Sequence, residues 1–198
     1  MSSIVDDRLN KLKDKVIFPL KIKFDKNKLL KESSLVRYNA INEKNLERYR
    51  RLGFIGKNDS ISYDVEDKNW FNNQKDWKIS SKVEDNPNTE SYRLHEMFKD
   101  VLEVDNLEPR FLTQKRGTNA HYHIDGETKC AINFLVRGGQ TPISFKNVGN
   151  FFYDVALINT HHLHSVPEQK GNDRVLFKLR INQMTYDNAK EKLIAKNL

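Results

Sequence analysis

The chain has 198 residues, of which 37% are hydrophobic and 31% are charged, and its formal net charge at pH 7 is +7. This length suits one folded domain with a single core, and eleven Phe with seven Tyr are too many aromatic residues for a disordered chain. The one cysteine, Cys130, excludes an internal disulfide and any metal site built from several cysteines.

The positive charge is concentrated near the N-terminus, where residues 1–31 hold nine Lys or Arg against four Asp. Such a segment is either a solvated stretch that aids solubility or a contact for nucleic acid or another anionic partner. Residues 1–15 contain no apolar signal segment, and no apolar run approaches the roughly 20 residues that span a bilayer. We therefore expect a soluble, cytoplasmic protein without a membrane partner.

The first part of the chain mixes strand and helix patterns. Residues 16–24 form a strand-like apolar run inside the basic segment. A helix is predicted to begin near residue 24 and to continue to about residue 33, with Asp25 as its N-cap. Residues 35–51 have helical composition with weak periodicity.

Residues 53–91 are predicted to be loops that carry short strands near residues 61–63 and 77–79. The aromatic residues of this region form either local core under a long loop or a substrate lid; they are Trp70, Phe71 and Trp77. The clearest helix is predicted over residues 89–102, which place their apolar side chains on one face. His95 lies off that face and is expected at the surface.

From residue 110 onward, short β-rich runs alternate with turn signals, which favours a sandwich or barrel over a parallel sheet. The predicted strands are 110–114, 120–124, 130–136, 141–145, 151–158 and 175–181. A helix is expected over about residues 185–196. The chain is thus predicted to be one mainly β domain with flanking helices. Residues 1–106 support the core, residues 107–182 form a small β-barrel or jelly roll, and residues 183–198 close the fold.

Five of the six histidines lie between residues 121 and 164. On a strand, residues two apart share a face, so His123 and Asp125 should point the same way. One further distant ligand would complete a set of two imidazoles and one carboxylate. That set leaves three coordination positions open and is typical of Fe(II) sites that bind a co-substrate and O2.

The distant ligand is expected to be His164, which is followed ten residues later by Arg174 at the start of a strand. A guanidinium keeps its charge when buried and binds carboxylates through two hydrogen bonds. His162 has the same strand parity as His164 and is the alternative third ligand.

The order of His-x-Asp, a long gap, a histidine and then an arginine ten residues later resembles the 2-oxoglutarate/Fe(II)-dependent dioxygenases. These enzymes have a double-stranded β-helix core, which is cupin-like. The resemblance covers roughly residues 107–182 and is greatest for residues 110–126 and 159–166. It is closest to the aspartyl/asparaginyl β-hydroxylase-like and proline-hydroxylase-like branch.

This resemblance implies that His123, Asp125 and His164 bind Fe(II) and that Arg174 binds the distal carboxylate of 2-oxoglutarate. Asn133, on a predicted strand, would face the co-substrate as well. Related halogenases replace the carboxylate ligand by a small residue, so Asp125 favours hydroxylation, with O2 as the oxidant.

The implied substrate is an amino-acid side chain, free or in a peptide. Two alternatives stay open: oxidation of a nucleic acid or nucleoside, and a cupin-like metal-binding module without catalytic activity.

Overall fold

The computed structural model describes residues 10–40, 77–80, 83, 85–125 and 128–198. Strands outnumber helices in this part of the chain. In chain order, the elements are β1 (Ile17–Pro19), α1 (Lys26–Leu35), β2 (Tyr38–Ala40), β3 (Trp77–Ser80), α2 (Glu90–Leu102), β4 (Leu107–Gln114), β5 (Ala120–His123), β6 (Cys130–Arg137), β7 (Ile143–Phe145), β8 (Gly149–Phe151), β9 (Val155–Ile158), β10 (His164–Val166), β11 (Arg174–Ile181) and α3 (Tyr186–Ala195).

The strands form two antiparallel sheets. The large sheet has the order β1-β9-β6-β11-β4-β3-β2, and the small sheet has the order β5-β10-β7-β8. Between β4 and β11 the chain crosses from one sheet to the other at every connection except the one between β7 and β8. This eight-stranded path is a jelly roll. The predicted fold class, mainly β with flanking helices and a cupin-like jelly-roll core, is confirmed.

The main apolar core lies between the large sheet and the helices. Phe134 of β6 is at its centre and makes ring contacts with Phe24, Phe98 and Phe177 at centroid distances of 5.3, 5.9 and 5.7 Å. Leu29 of α1 and the apolar face of α2 are fully buried in the same cluster. The helices therefore cover the outer face of the large sheet.

A smaller apolar cluster joins the two sheets across the jelly roll. Ile143 and Phe145 of the small sheet pack against residues of β1 and β9 in the large sheet, namely Ile17, Ala156 and Ile158. The central strands β6 and β11 are covered on both faces, and almost all of their residues are buried. A polar side chain on either strand is therefore held inside the protein.

Helices α1, α2 and α3 each begin at a side-chain N-cap, and Asp25 is the cap that the sequence predicts. The Asp25 carboxylate accepts hydrogen bonds from the first turn of α1, and the hydroxyls of Thr89 and Thr185 do the same for α2 and α3. The predicted helices near residues 24–33, 89–102 and 185–196 are confirmed. No helix in the described part of the chain is long and apolar enough to cross a membrane.

Three predictions were wrong in detail. The run 151–158 is two strands in different sheets, β8 and β9, because the chain turns at residues 152–154. His95 is buried, and its Nε2 lies 2.9 Å from the carbonyl oxygen of Leu107, so its polar ring is accommodated by the start of β4. Residues 38–40 are strand rather than helix.

Other predictions fall partly or wholly outside the described residues. They concern the helical composition of residues 41–51, the strand near residues 61–63, and the aromatic residues Trp70 and Phe71. The short strand near residues 77–79 is confirmed as β3.

Phe134→Ala should lower the free energy of unfolding by about 3–5 kcal/mol, because the cavity it leaves lies at the centre of the main core. The measurement is urea unfolding followed by far-UV circular dichroism. Phe152→Ala is the matched control: Phe152 is 66% exposed, so its truncation should change stability by no more than about 0.5 kcal/mol. Equal losses in the two variants would contradict the placement of the core.

Candidate metal centre

Three potential metal ligands meet where β5 pairs with β10 in the small sheet. The antiparallel register sets His164, the first residue of β10, directly opposite His123, the last residue of β5. Their ring centroids are 4.4 Å apart. One ligand atom from each of His123, Asp125 and His164 lies within 4.8 Å of the others. The structure thus brings together the three residues that the sequence singled out.

His164 is held with one ring nitrogen free for a metal ion. Its Nδ1 lies 2.9 Å from the carbonyl oxygen of His162. Because a carbonyl oxygen only accepts, Nδ1 carries the hydrogen and Nε2 keeps its lone pair. Burial, assisted by the nearby His123, lowers the pKa of His164 to about 3. The imidazole is therefore neutral at physiological pH, as metal binding requires.

Asp125 lies two residues beyond the end of β5, and a hydrogen bond from its backbone N–H to the Thr160 carbonyl oxygen (3.0 Å) fixes this turn. Its carboxylate has two different neighbours. Oδ1 is 3.5 Å from Nε2 of His123, whereas Oδ2 is 2.5 Å from Nζ of Lys178. Burial alone would raise the pKa of Asp125, but the Lys178 ammonium and the hydrogen bond from His123 bring it well below its usual value.

Arg174 is the largest fully buried side chain among the described residues and lies on the inner face of β11. Its Nη1 donates to the carbonyl oxygen of Thr141 (2.7 Å) and its Nη2 donates to the Tyr153 hydroxyl (3.2 Å). The Nε atom is buried without a partner. At the end of β6, Gly138 has a φ of +83°, and a Cβ there would lie 2.7 Å from Cα of Arg174, so only glycine permits this approach.

Asn133 of β6 lies beside the same group. Its Nδ2 is 3.3 Å from the Tyr153 hydroxyl, and its Oδ1 is buried without a partner. In the sheet, Asn133 is the partner of Lys178. Strand β11 pairs with β4 without a register shift. Residues four apart on it therefore share a face, and Arg174 and Lys178 both lie on the inner one. The two predicted co-substrate residues are therefore in one polar cluster.

The two candidates for the third ligand have different positions in the structure. His162 lies in the turn before β10, where the two-residue repeat of a strand does not apply, and the cluster of ligand atoms contains His164 instead. His162 contributes its carbonyl oxygen, which orients the His164 ring.

Sequence reasoning missed Lys178 and Tyr153. Lys178 could have been found from the sequence, because it is a charged residue in a buried strand and lies four residues after Arg174, on the same face. Tyr153 had none, because it lies in the turn between β8 and β9 that was predicted to be strand.

No protein-family model matches the chain, and no curated protein matches its sequence. Among solved structures, the chain is similar to an oxidoreductase of the 2OG-Fe(II) oxygenase family from Burkholderia pseudomallei, at 12% identity and a TM-score of 0.46, over 89% of this chain and 90% of that one. A prolyl-4-hydroxylase from Pseudomonas putida matches at 11% identity and a TM-score of 0.41, over 52% of this chain and 70% of that one.

A predicted oxalate decarboxylase from Thermotoga maritima matches at 12% identity and a TM-score of 0.36, over 54% of this chain and 80% of that one. Similar structures thus include oxygenases and proteins described otherwise. At these values the matches assign no activity to this chain, and its function has to be inferred from its own residues.

The buried neutral state of His164 predicts a pH dependence of stability in the metal-free protein. Its pKa is lower in the folded chain than the usual 6.5, so the unfolded chain takes up the proton first. The free energy of unfolding is therefore unaffected by this proton uptake above about pH 6.5. Below that pH it decreases, by up to about 1.4 kcal/mol per pH unit. Urea unfolding at about pH 7 and about pH 5 measures this decrease.

In His164→Gln the decrease should be smaller, whereas His161→Gln, a change at an exposed neighbouring histidine, should keep the wild-type decrease. A wild-type decrease in His164→Gln would show that this imidazole is not buried in its neutral form.

Proposed function

We propose that the protein is an Fe(II)- and 2-oxoglutarate-dependent oxygenase. The observation that supports this best is the juxtaposition of two groups on the inside of the jelly roll. One is the cluster of His123, Asp125 and His164, and the other is the buried, incompletely paired guanidinium of Arg174. The first suits a divalent metal ion, and the second suits the carboxylate of an organic co-substrate.

The donor set fits Fe(II). Two imidazoles and one carboxylate gathered at one end of the small sheet bind one side of a metal ion and leave the other side open. Nε2 of His164 has its lone pair available, and Oδ1 of Asp125 is the carboxylate oxygen nearest His123. His123, Asp125 and His164 would therefore hold the iron.

The polar cluster around Arg174 fits a carboxylate. Buried polar atoms are normally paired, yet Nε of Arg174 and one end of the Asn133 amide lack partners. A carboxylate in this cluster would accept from the guanidinium and from the Tyr153 hydroxyl. The Tyr153 hydroxyl accepts from Nη2 of Arg174 and from Nδ2 of Asn133, so its single hydrogen is free for the carboxylate, and the second hydrogen of the Asn133 amide is available as well. Arg174, Tyr153 and Asn133 would thus hold the distal carboxylate of 2-oxoglutarate.

When bound, Fe(II) and 2-oxoglutarate supply the activation of O2 that oxidises a C–H bond, with succinate and CO2 as the co-products. The protein supplies position and a dry site. Leu176 lies on the inner face of β11 between Arg174 and Lys178 and is 5% exposed, so it excludes water from the space between them. Asp125 occupies its ligand position with a carboxylate, which suits hydroxylation rather than halogenation.

The substrate proposed is an amino-acid side chain, free or in a peptide, and the support for it is the sequence resemblance. The compartment proposed is the cytoplasm, which the buried free thiol of Cys130 suits. The basic N-terminal segment keeps a nucleic-acid substrate as the second candidate, and binding that weakens steeply with salt would favour it.

The first test is anaerobic addition of Fe(II) and 2-oxoglutarate, which should produce a weak visible charge-transfer band. In air, the same mixture should release succinate. His164→Ala should lose both, because the metal loses one of its three ligands. His161→Ala, which changes an exposed histidine outside the cluster, should keep both. If the wild type gives neither band nor succinate, the protein is a metal-binding or structural module.

For an active enzyme, the rates of succinate release with amino acids, peptides and nucleic acids rank these substrate classes.

Arg174→Met should weaken 2-oxoglutarate binding by about ten- to a hundredfold, because it removes a hydrogen bond to a charged group worth about 1.5–3 kcal/mol. Titration of the band against 2-oxoglutarate measures this loss. Arg137→Met, the same change at an exposed arginine of β6, should leave the affinity unchanged. Tyr153→Phe tests the same polar cluster by removing only one hydroxyl group. Unaltered affinity in both Arg174→Met and Tyr153→Phe would place the co-substrate elsewhere.

A further inference from the structure

Lys178 is a buried cation beside the candidate metal centre that the proposed mechanism does not yet use. It lies at the middle of β11, where its sheet partners are Arg110 of β4 and Asn133 of β6. The residue is 9% exposed. Its ammonium is 2.5 Å from Oδ2 of Asp125, so the ion pair connects the large sheet to the loop that follows β5.

A lysine at this position is costly for the fold. Burying an ion pair takes two charges out of water, and well-packed apolar residues would stabilise the same space at least as well. Two of the neighbouring inward positions, Leu176 and Ala131, are apolar and buried, so apolar side chains are accommodated on this face. The ammonium is therefore better explained by what it does to Asp125 than by the stability of the sheet.

The two oxygens of Asp125 are not equivalent in this arrangement. Lys178 binds Oδ2, while Oδ1 lies on the side of His123. A carboxylate on a loop can rotate about its side-chain bonds, and that rotation has to be restricted before a metal ion binds with full affinity. Partners that orient metal ligands in this way typically contribute ten- to a hundredfold to metal affinity or activity.

We propose that Lys178 is a positioning residue, which holds Oδ2 of Asp125 so that Oδ1 faces the metal position between His123 and His164. This inference rests on the proposed function, because it requires that the cluster binds a divalent metal. It assigns Lys178 no contact with metal, co-substrate or substrate. Its favourable effect on metal affinity should therefore pass entirely through Asp125.

Electrostatic repulsion between the Lys178 ammonium and the metal ion would have the opposite effect on metal affinity. An ammonium close to a divalent cation disfavours metal binding, so a lysine that only added positive charge would weaken binding while present. Its removal would then tighten binding. The two roles predict opposite signs for the same substitution, and the measured direction decides between them.

The test is titration of the purified, metal-free protein with Co(II), followed by its visible absorption, without any turnover. Lys178→Met should weaken Co(II) binding by about tenfold or more, and Lys178→Arg should recover most of the loss. Arg180→Met is the matched control, since Arg180 lies on the same face two residues further on but donates to Glu108 and Thr128. It should change the affinity less than about twofold. Circular dichroism establishes that each variant is folded, and Lys178→Gln replaces the methionine variant if that one does not fold.

A second pair of titrations tests whether Lys178 acts through Asp125. In an Asp125→Ala background, the further change Lys178→Met should no longer weaken Co(II) binding, because the carboxylate that Lys178 orients is absent. Tighter or unchanged Co(II) binding in the single variant Lys178→Met overturns the inference. An equal loss of affinity on adding Lys178→Met to the wild type and to Asp125→Ala overturns it as well. In any of these cases, a wild type that binds Co(II) leaves the proposed function standing. A wild type that binds no Co(II) overturns both.

Discussion

The antiparallel register of β5 and β10 is the constraint on which the candidate centre depends. It sets His164 opposite His123, and β10 is fixed from its other side by β7, where His164 pairs with Phe145. A slip of one residue on a strand turns every side chain to the opposite face. The backbone hydrogen bonds of the small sheet thus fix the relative positions of His123 and His164, the two candidate imidazole ligands.

The large sheet contributes the charges that act on this centre. Its central strand β11 is buried on both faces, yet it carries Arg174 and Lys178 on the face turned toward the small sheet. Each cation is retained by partners on other strands or loops, which offset part of the cost of burial. The inner face of β11 therefore carries two positive charges, one of them paired with Asp125, and two such charges suit the anionic co-substrate proposed above.

Much of the fold could be predicted from local patterns. Short β-rich runs separated by turn signals indicated a sandwich or barrel. The predicted helix starts near residues 24, 89 and 185 lie at or next to the N-caps Asp25, Thr89 and Thr185, because capping is a local interaction. The errors occurred where tertiary packing overrides local composition. The run 151–158 is apolar enough for a single strand, but the jelly-roll path requires a crossing between sheets there. His95 looked exposed from its helix position, yet β4 packs over it. The division of the chain into support, core and closing helix stays a prediction.

The sequence by itself determined the local half of the candidate site: Asp125 lies two residues beyond His123, the last residue of β5, so the two side chains are close in any fold. Which distant residues join them was decided only by the tertiary structure. His162 and His164 are equivalent by parity, and the pairing of β10 with β5 places His164 opposite His123. Lys178 is 53 residues from Asp125 along the chain, and no sequence period connects them. Their ion pair exists because the two sheets of the jelly roll close over each other, and such non-local packing is not encoded in any short motif.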